Sequence, residues 1–180
     1  CFTDARMDDV MAGTSAPFVA GLREGRVPDR QIVVRGGGIY PTASLVYRRD
    51  RVDPALFPAL PELAADEILI YALMASGGLH YLPDVTCVYR RWAGGVYSGV
   101  SRDAELLARR KQAALDAYDR LAARPEFRRY ARLFAAKKSA DSLYILRQLG
   151  LGAGRRFLGL LSPADMARLA RHEARRLVTR

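Results

Sequence analysis

Two adjacent carboxylates, Asp66 and Glu67, stand between a stretch punctuated by Pro54, Pro58 and Pro61 and the apolar run 68–74. A carboxylate at a helix start, behind a loop that lets a substrate approach, can take a proton as a general base. The same residue can equally cap the helix or face the positive end of its dipole. Arg90 ends an apolar segment beside Gly94-Gly95. A guanidinium there can clamp a diphosphate with two parallel hydrogen bonds, or form an ordinary strand-end ion pair. Trp92 and Tyr97 flank the same glycines, and Thr42 and Ser44 put two hydroxyls beside the apolar segment 43–48. His80 and His172 have no partner pattern. Cys1 and Cys87 form neither a CxxC pair nor a metal-ligand spacing, and Cys87 lies in the apolar run Val85-Thr86-Cys87-Val88 as a small hydrophobe. The Gly36-Gly37-Gly38 loop is not followed by a helix carrying Lys-Ser/Thr, so it is not a phosphate-binding P-loop.

These residues need elements to hold them. The spacing predicts a helix over 65–76, with Ile68, Leu69, Ala72 and Leu73 on one face and Gly77-Gly78 as its stop. Residues 1–6 read as the end of a strand, 31–35 and 43–48 as strands, and 79–82 and 85–90 as strand-like segments around Pro83-Asp84. Thr14-Ser15-Ala16-Pro17 reads as the opening of a short helix, because Pro is tolerated in a first turn. Composition changes near residue 100: Gly, Pro and β-branched residues give way to long Ala/Leu/Arg stretches. Helices are predicted over about 102–123, 126–149, 152–161 and 163–178. The expected organisation is therefore α/β over 1–100, followed by a basic helical region over 101–180.

The 180 residues are half hydrophobic and 27% charged, which excludes a wholly disordered or collagen-like chain. No uncharged apolar run approaches the roughly 18 residues of a membrane span. The net charge of +10 is unevenly divided. Residues 1–100 carry 10 Lys and Arg against 11 Asp and Glu, whereas residues 101–180 carry 19 against 8. A segment that basic attracts anionic lipid, nucleic acid or phosphorylated substrates, or is simply a solvated helical face. No zinc pattern or aromatic-interleaved pattern supports nucleic acid.

Over about 70 residues, from Val27 to Gly99, the chain resembles glycosyltransferase family 2, inverting enzymes with a GT-A fold. Four pieces carry the resemblance in the family's order. The run Ile39-Tyr40-Pro41-Thr42-Ala43-Ser44-Leu45-Val46-Tyr47-Arg48-Arg49 is similar to its small-polar, apolar-strand, Arg-Arg element. Ala65-Asp66-Glu67 opening an apolar helix is similar to the position of its acidic general base. Gly77-Gly78-Leu79-His80-Tyr81-Leu82-Pro83-Asp84-Val85 resembles the hairpin that follows. Val88-Tyr89-Arg90 with Gly94-Gly95-Val96-Tyr97-Ser98 resembles its closing Tyr-Arg and Gly-Gly-Val-aromatic-Ser motif.

The resemblance implies the acceptor-side, C-terminal portion of a GT-A-like mixed sheet with helices. In that reading Asp66, with Glu67 beside it, is the catalytic base of sugar transfer from a nucleotide-sugar to an acceptor hydroxyl. Thr42 and Ser44 line the acceptor, Arg90 meets the diphosphate, and Trp92 and Tyr97 stack on a sugar ring. Complete family members hold a divalent metal, Mg or Mn, on an upstream Asp-x-Asp motif that this chain does not show, so the ligands are expected mostly outside it. Asp4 and Asp8-Asp9 form the one early acidic cluster and read chiefly as surface-turn carboxylates. Trp92 stands where the family often has a metal-binding His, and Val88 stands where processive synthases carry Gln. The chain therefore reads as a fragment, inactive alone, of a cytoplasmic enzyme of cell-envelope polysaccharide synthesis with a glycan or lipid-linked acceptor. Residues 163–178 would be a basic amphipathic anchor on an anionic membrane, with nucleic acid excluded as a partner. The rival reading is a non-enzymatic basic helical module that binds anionic membrane or nucleic acid, with the α/β part as its scaffold.

Overall fold

A computed structural model describes the backbone of residues 1–95 and 103–178, and the side chains of these residues outside 150–156 and 171–178. The chain is mixed α/β and divides into two compact units, Cys1–Gly99 and Val100–Arg180.

The first unit is built on a four-stranded mixed sheet. Strand β1 (Phe2–Asp9) turns back at once into β2 (Thr14–Pro17), pairing antiparallel from Arg6↔Pro17 to Asp9↔Thr14. The Asp9 carboxylate accepts from the Met11 and Ala12 N–H groups, and Gly13 takes a φ of +65°, so the turn has both its hydrogen bonds and its left-handed residue. Strand β4 (His80–Arg91) runs parallel to β1, with irregular register between Thr3 and Ala5. Strand β3 (Gly25–Arg26) touches only the start of β4, at Tyr81 and His80, giving the order β2-β1-β4-β3. Beyond Tyr81 the other edge of β4 pairs with no described strand, and Val85 and Val88 are exposed there.

A parallel pair requires a crossover. Here the chain passes through α1 (Asp29–Arg35), 3₁₀ turns at Gly36–Ile39, Thr42–Ser44 and Arg49–Arg51, the single turn α2 (Leu56–Ala59) and α3 (Ala65–Ser76). Helix α3 has the predicted bounds. Its Ile68, Ile70, Tyr71, Ala72, Leu73 and Met74 are all buried, so it is apolar nearly all round and forms the centre of this unit's core. Gly78, at φ +97°, closes it through an N–H bond to the Leu73 carbonyl. Phe2 of β1 lies between Tyr40 and Tyr81, with ring centroids 5.8 and 5.4 Å away.

Three local expectations are overturned. Residues 14–17 form an edge strand, because the turn after β1 leads them into its register. Residues 31–35 are helical despite Ile-Val-Val: Pro28 sets an extended residue before the helix, Asp29 occupies its first turn, and Ile32 and Val33 bury on that one face. Residues 43–48 form no strand. A 3₁₀ turn and one bridge, Phe2↔Leu45, hold them against β1.

The second unit is helical. Helix α4 (Ala104–Ala123) is capped by Asp103, which accepts from the Leu106 N–H. A 3₁₀ turn, Pro125–Tyr130, leads into α5 (Ala131–Leu158), and α6 (Pro163–Val178) follows. Helix α5 is continuous where a break at Gly150 and Gly152 was expected; an interior glycine costs about 1 kcal/mol, which tertiary packing can offset. Phe134 packs against Tyr118 and Phe127 in the core. Two of the chain's three lysines join α4 and α5: Lys111 meets the buried Asp141, which also accepts from the Tyr118 hydroxyl, and Lys138 meets Asp119, whereas Lys137 meets Asp141 one turn on within α5.

Helix α6 packs on α5 with Leu169 buried. Its N-terminus is a Ser162–Asp165 cap. The Asp165 carboxylate accepts from the Ser162, Ser139 and Arg168 side chains, tying the cap to α5. Among the described residues no helix is long and apolar enough to cross a membrane.

Candidate active site

The first turn of α3 is where polar chemistry meets this core. Asp66 and Glu67 sit there half-buried, and both carboxylates lie against the backbone of the Gly36–Ile39 turn. A Cβ placed on Gly37 would come within 2.5 Å of Asp66 Oδ2, and one on Gly36 within 3.1 Å of Glu67 Oε1. The glycines are thus the seat that lets two carboxylates approach the main chain. Gly36 is further restricted by its φ of +55°.

The two acids differ in their commitments. Glu67 Oε1 accepts from the Tyr71 hydroxyl at 2.7 Å, one helical turn on. The Asp66 carboxylate takes one hydrogen bond among the described residues, on Oδ1 from the Glu67 N–H at 3.0 Å. Its Oδ2 remains available to a hydroxyl brought to the loop. Tyr40 fixes the turn from the other side, donating to the Asp66 carbonyl at 2.9 Å. Burial first, and then the negative charge of Asp66, push the Tyr40 phenol far above its usual value, so it remains a donor at any ordinary pH.

The remaining sequence candidates are distributed around this turn and along β4. Thr42 is exposed on the 3₁₀ turn two residues after Tyr40. Ser44 is buried, with its hydroxyl 2.8 Å from the Thr3 carbonyl and 2.9 Å from that of Pro41, where it pins the turn to β1. Arg90 is exposed near the far end of β4, opposite Asp8 of β1. Trp92 is 55% exposed, and its indole lies against Gly94, where an added Cβ would come within 2.6 Å of the ring. Neither Arg90 nor Trp92 hydrogen bonds to Asp66. Tyr97 lies outside the described residues.

The early acidic residues are held in structural bonds. Asp4 is buried and accepts from the Ala5 and Val19 N–H groups and the Tyr81 hydroxyl, joining β1, the chain after β2, and β4. Asp8 accepts from Ser15 and Arg6, and those bonds hold its carboxyl below the usual range. Asp9 caps its turn and meets Arg91. Among the described residues no three His, Cys, Asp or Glu side chains converge as metal ligands.

Tyr40, Tyr71, Gly36 and Gly37 were not singled out from the sequence as parts of the site. The Glu67–Tyr71 pair has the readable spacing of four along a helix, and the triple glycine marks a close approach. What the close approach serves emerges only when the turn meets α3. No known protein family, curated protein or solved structure matches the chain.

Proposed function

We propose that the unit Cys1–Gly99 is the acceptor-side part of a GT-A-like inverting glycosyltransferase, with Asp66 as its general base. The observation that carries this reading is the Asp66 carboxylate, half-buried at the head of an apolar helix and seated on a glycine turn with Oδ2 uncommitted. In the proposed step an acceptor hydroxyl donates to Asp66 Oδ2 and gives up its proton as its oxygen attacks the anomeric carbon. A new C–O bond forms as the bond to the nucleoside diphosphate breaks on the opposite face, which inverts the centre. Glu67 is held in place by Tyr71, and its charge helps the positive character that develops on the sugar. Thr42 is the exposed hydroxyl beside the acceptor, and Ser44 fixes the turn that carries it. Arg90 meets the diphosphate, and Trp92 with Tyr97 offers faces for a sugar ring.

The edge of β4 that pairs with no described strand beyond Tyr81 supports the same reading. Such an edge, with Val85 and Val88 exposed, invites another strand. A nucleotide-binding layer docked there would supply the donor site and the divalent metal that stabilises the leaving diphosphate. The test is release of nucleoside diphosphate from a panel of nucleotide-sugars, measured for the 180-residue chain and for the longer protein carrying the upstream layer. Release by the longer protein alone is expected. Release above a heat-killed control by the 180 residues would contradict the division of labour, and release by neither would contradict the enzyme reading.

A further inference from the structure

Helix α5 is continuous but not straight. Ser139, early in the helix, accepts from the Ser162 N–H at 2.8 Å. A straight helix from Ser139 to the end at Leu158 would span about 28 Å. The four residues from Gly159 to Ser162 could recover only about 14 Å of that. The helix therefore bends back between these points, in the stretch that holds Gly150, Gly152 and Gly154. Its returning end brings Phe157 and Leu160 into one cleft with Lys138 and with α4. The cleft has a volume of about 570 Å³, the size of a small-molecule site. On its α4 side stand Arg109, Gln112 and Asp116, at spacings of three and four along one face, with the buried Leu115 among them. The two cations are already answered: Arg109 donates to Glu105 at 2.6 Å, and Lys138 meets Asp119. The half-buried Gln112 amide and the exposed Asp116 carboxylate have no partner among the described residues.

We infer that this cleft binds a neutral saccharide. A sugar hydroxyl both donates and accepts, so it needs neighbours of both kinds. Here a carboxylate that accepts and an amide that does both stand one helical turn apart, and Leu115, Phe157 and Leu160 offer apolar contact to the C–H face of a ring. An anionic ligand would meet the Asp116 charge and find both cations paired. A cationic one would share the cleft with Arg109 and Lys138. A planar base would call for an exposed ring on which to stack, and Phe157 is only 4% exposed. The inference concerns the second unit alone and does not rest on Asp66 being a base.

The chain holds no asparagine and three glutamines, Gln31, Gln112 and Gln148, so its side-chain amide spectrum is simple enough to read the cleft directly. The experiment is an NMR titration of the ¹⁵N-labelled 180-residue chain, with the Gln112 signals assigned through Gln112→Glu. The probes are cellohexaose, chitohexaose and maltohexaose, with hexagalacturonate and guanosine monophosphate as charged comparisons. At least one neutral sugar should move the Gln112 pair to saturation while the Gln31 pair, in the other unit, stays in place. Asp116→Ala should weaken that binding at least about tenfold, and Leu160→Trp, which fills the cleft, should abolish it. Asp116 has no partner to orphan, so its variant tests recognition and leaves the fold unchanged, which thermal melts verify. No movement of the Gln112 pair with any neutral sugar up to about 10 mM would overturn the inference. Equal affinity in Asp116→Ala, or tighter binding of either charged probe, would overturn it as well.

Discussion

The buried Asp4 and the half-buried Asp66 differ in how many donors each carboxylate holds. Asp4 has three, from two main-chain N–H groups and a phenol, and holds three segments together. Removing the carboxylate orphans those donors, each at about 1–3 kcal/mol when buried. Asp4→Ala should therefore destabilise the first unit by about 3 kcal/mol or more in urea unfolding; a loss under about 1 kcal/mol would mean that water replaces the carboxylate. Asp66 has one donor and an uncommitted oxygen, the state expected of a base that awaits its substrate. At this scale the sequence was legible for the place of Asp66 and Glu67 at a helix start, and left capping and proton transfer open as their role. It was uninformative for Asp4, two of whose three partners are 15 and 77 residues away. Ser44 shows the converse: its place beside an apolar segment was legible, whereas its burial against two carbonyls depends on how the turn meets β1.

Elements set where those side chains can go. Helix α3 was legible to the residue because its apolar run, first-turn acids and terminal glycines all agree. Residues 31–35 were misread as a strand because β-branched residues favour strands only when a sheet is there to receive them; here Pro28 and Asp29 start a helix instead. The turn between α1 and α3 makes the site, and it gives a specific prediction. Gly37 has no positive φ, so its backbone accepts alanine, but the methyl would press on Asp66 Oδ2. Gly37→Ala should leave stability within about 1 kcal/mol while cutting the transfer rate at least tenfold, as the carboxylate is pushed off its seat. Thermal melts beside initial rates check this. An unchanged rate would show that the carboxylate's position against the turn is immaterial to the reaction.

Over the whole molecule, charge and helix content are divided between two units, and the basic one depends on acids for its order. Asp165 is an example. Burial alone would raise its pKa, but hydrogen bonds from Ser139, Ser162 and Arg168 outweigh burial and hold it below the usual value of 3.8. A carboxyl depressed in the folded state contributes stability that is present in full above its unfolded value. That contribution is lost as pH falls through the folded one. The helical signal of the second unit should therefore weaken on acidification below about pH 4, and Asp165→Asn should flatten that acid limb while lowering stability at neutral pH. An acid limb of unchanged steepness in the variant would place the titration elsewhere. The division of composition near residue 100 was readable because it changes over tens of residues. The continuity of α5 through its glycines was not, because glycine propensity alone argues for a break there.

The central claim is that Asp66 takes the acceptor's proton, and it is tested most directly by Asp66→Asn beside Glu67→Gln in the longer protein proposed above to bind the donor. Asparagine keeps the size and the Oδ1 contact to the Glu67 N–H but removes the basic oxygen; glutamine at 67 can still accept from Tyr71. The account predicts that Asp66→Asn lowers the rate of sugar transfer by at least about a hundredfold at unchanged donor affinity and folded yield, while Glu67→Gln stays largely active. Retention of more than about a tenth of the activity by Asp66→Asn would contradict it and leave Asp66 as the cap of α3.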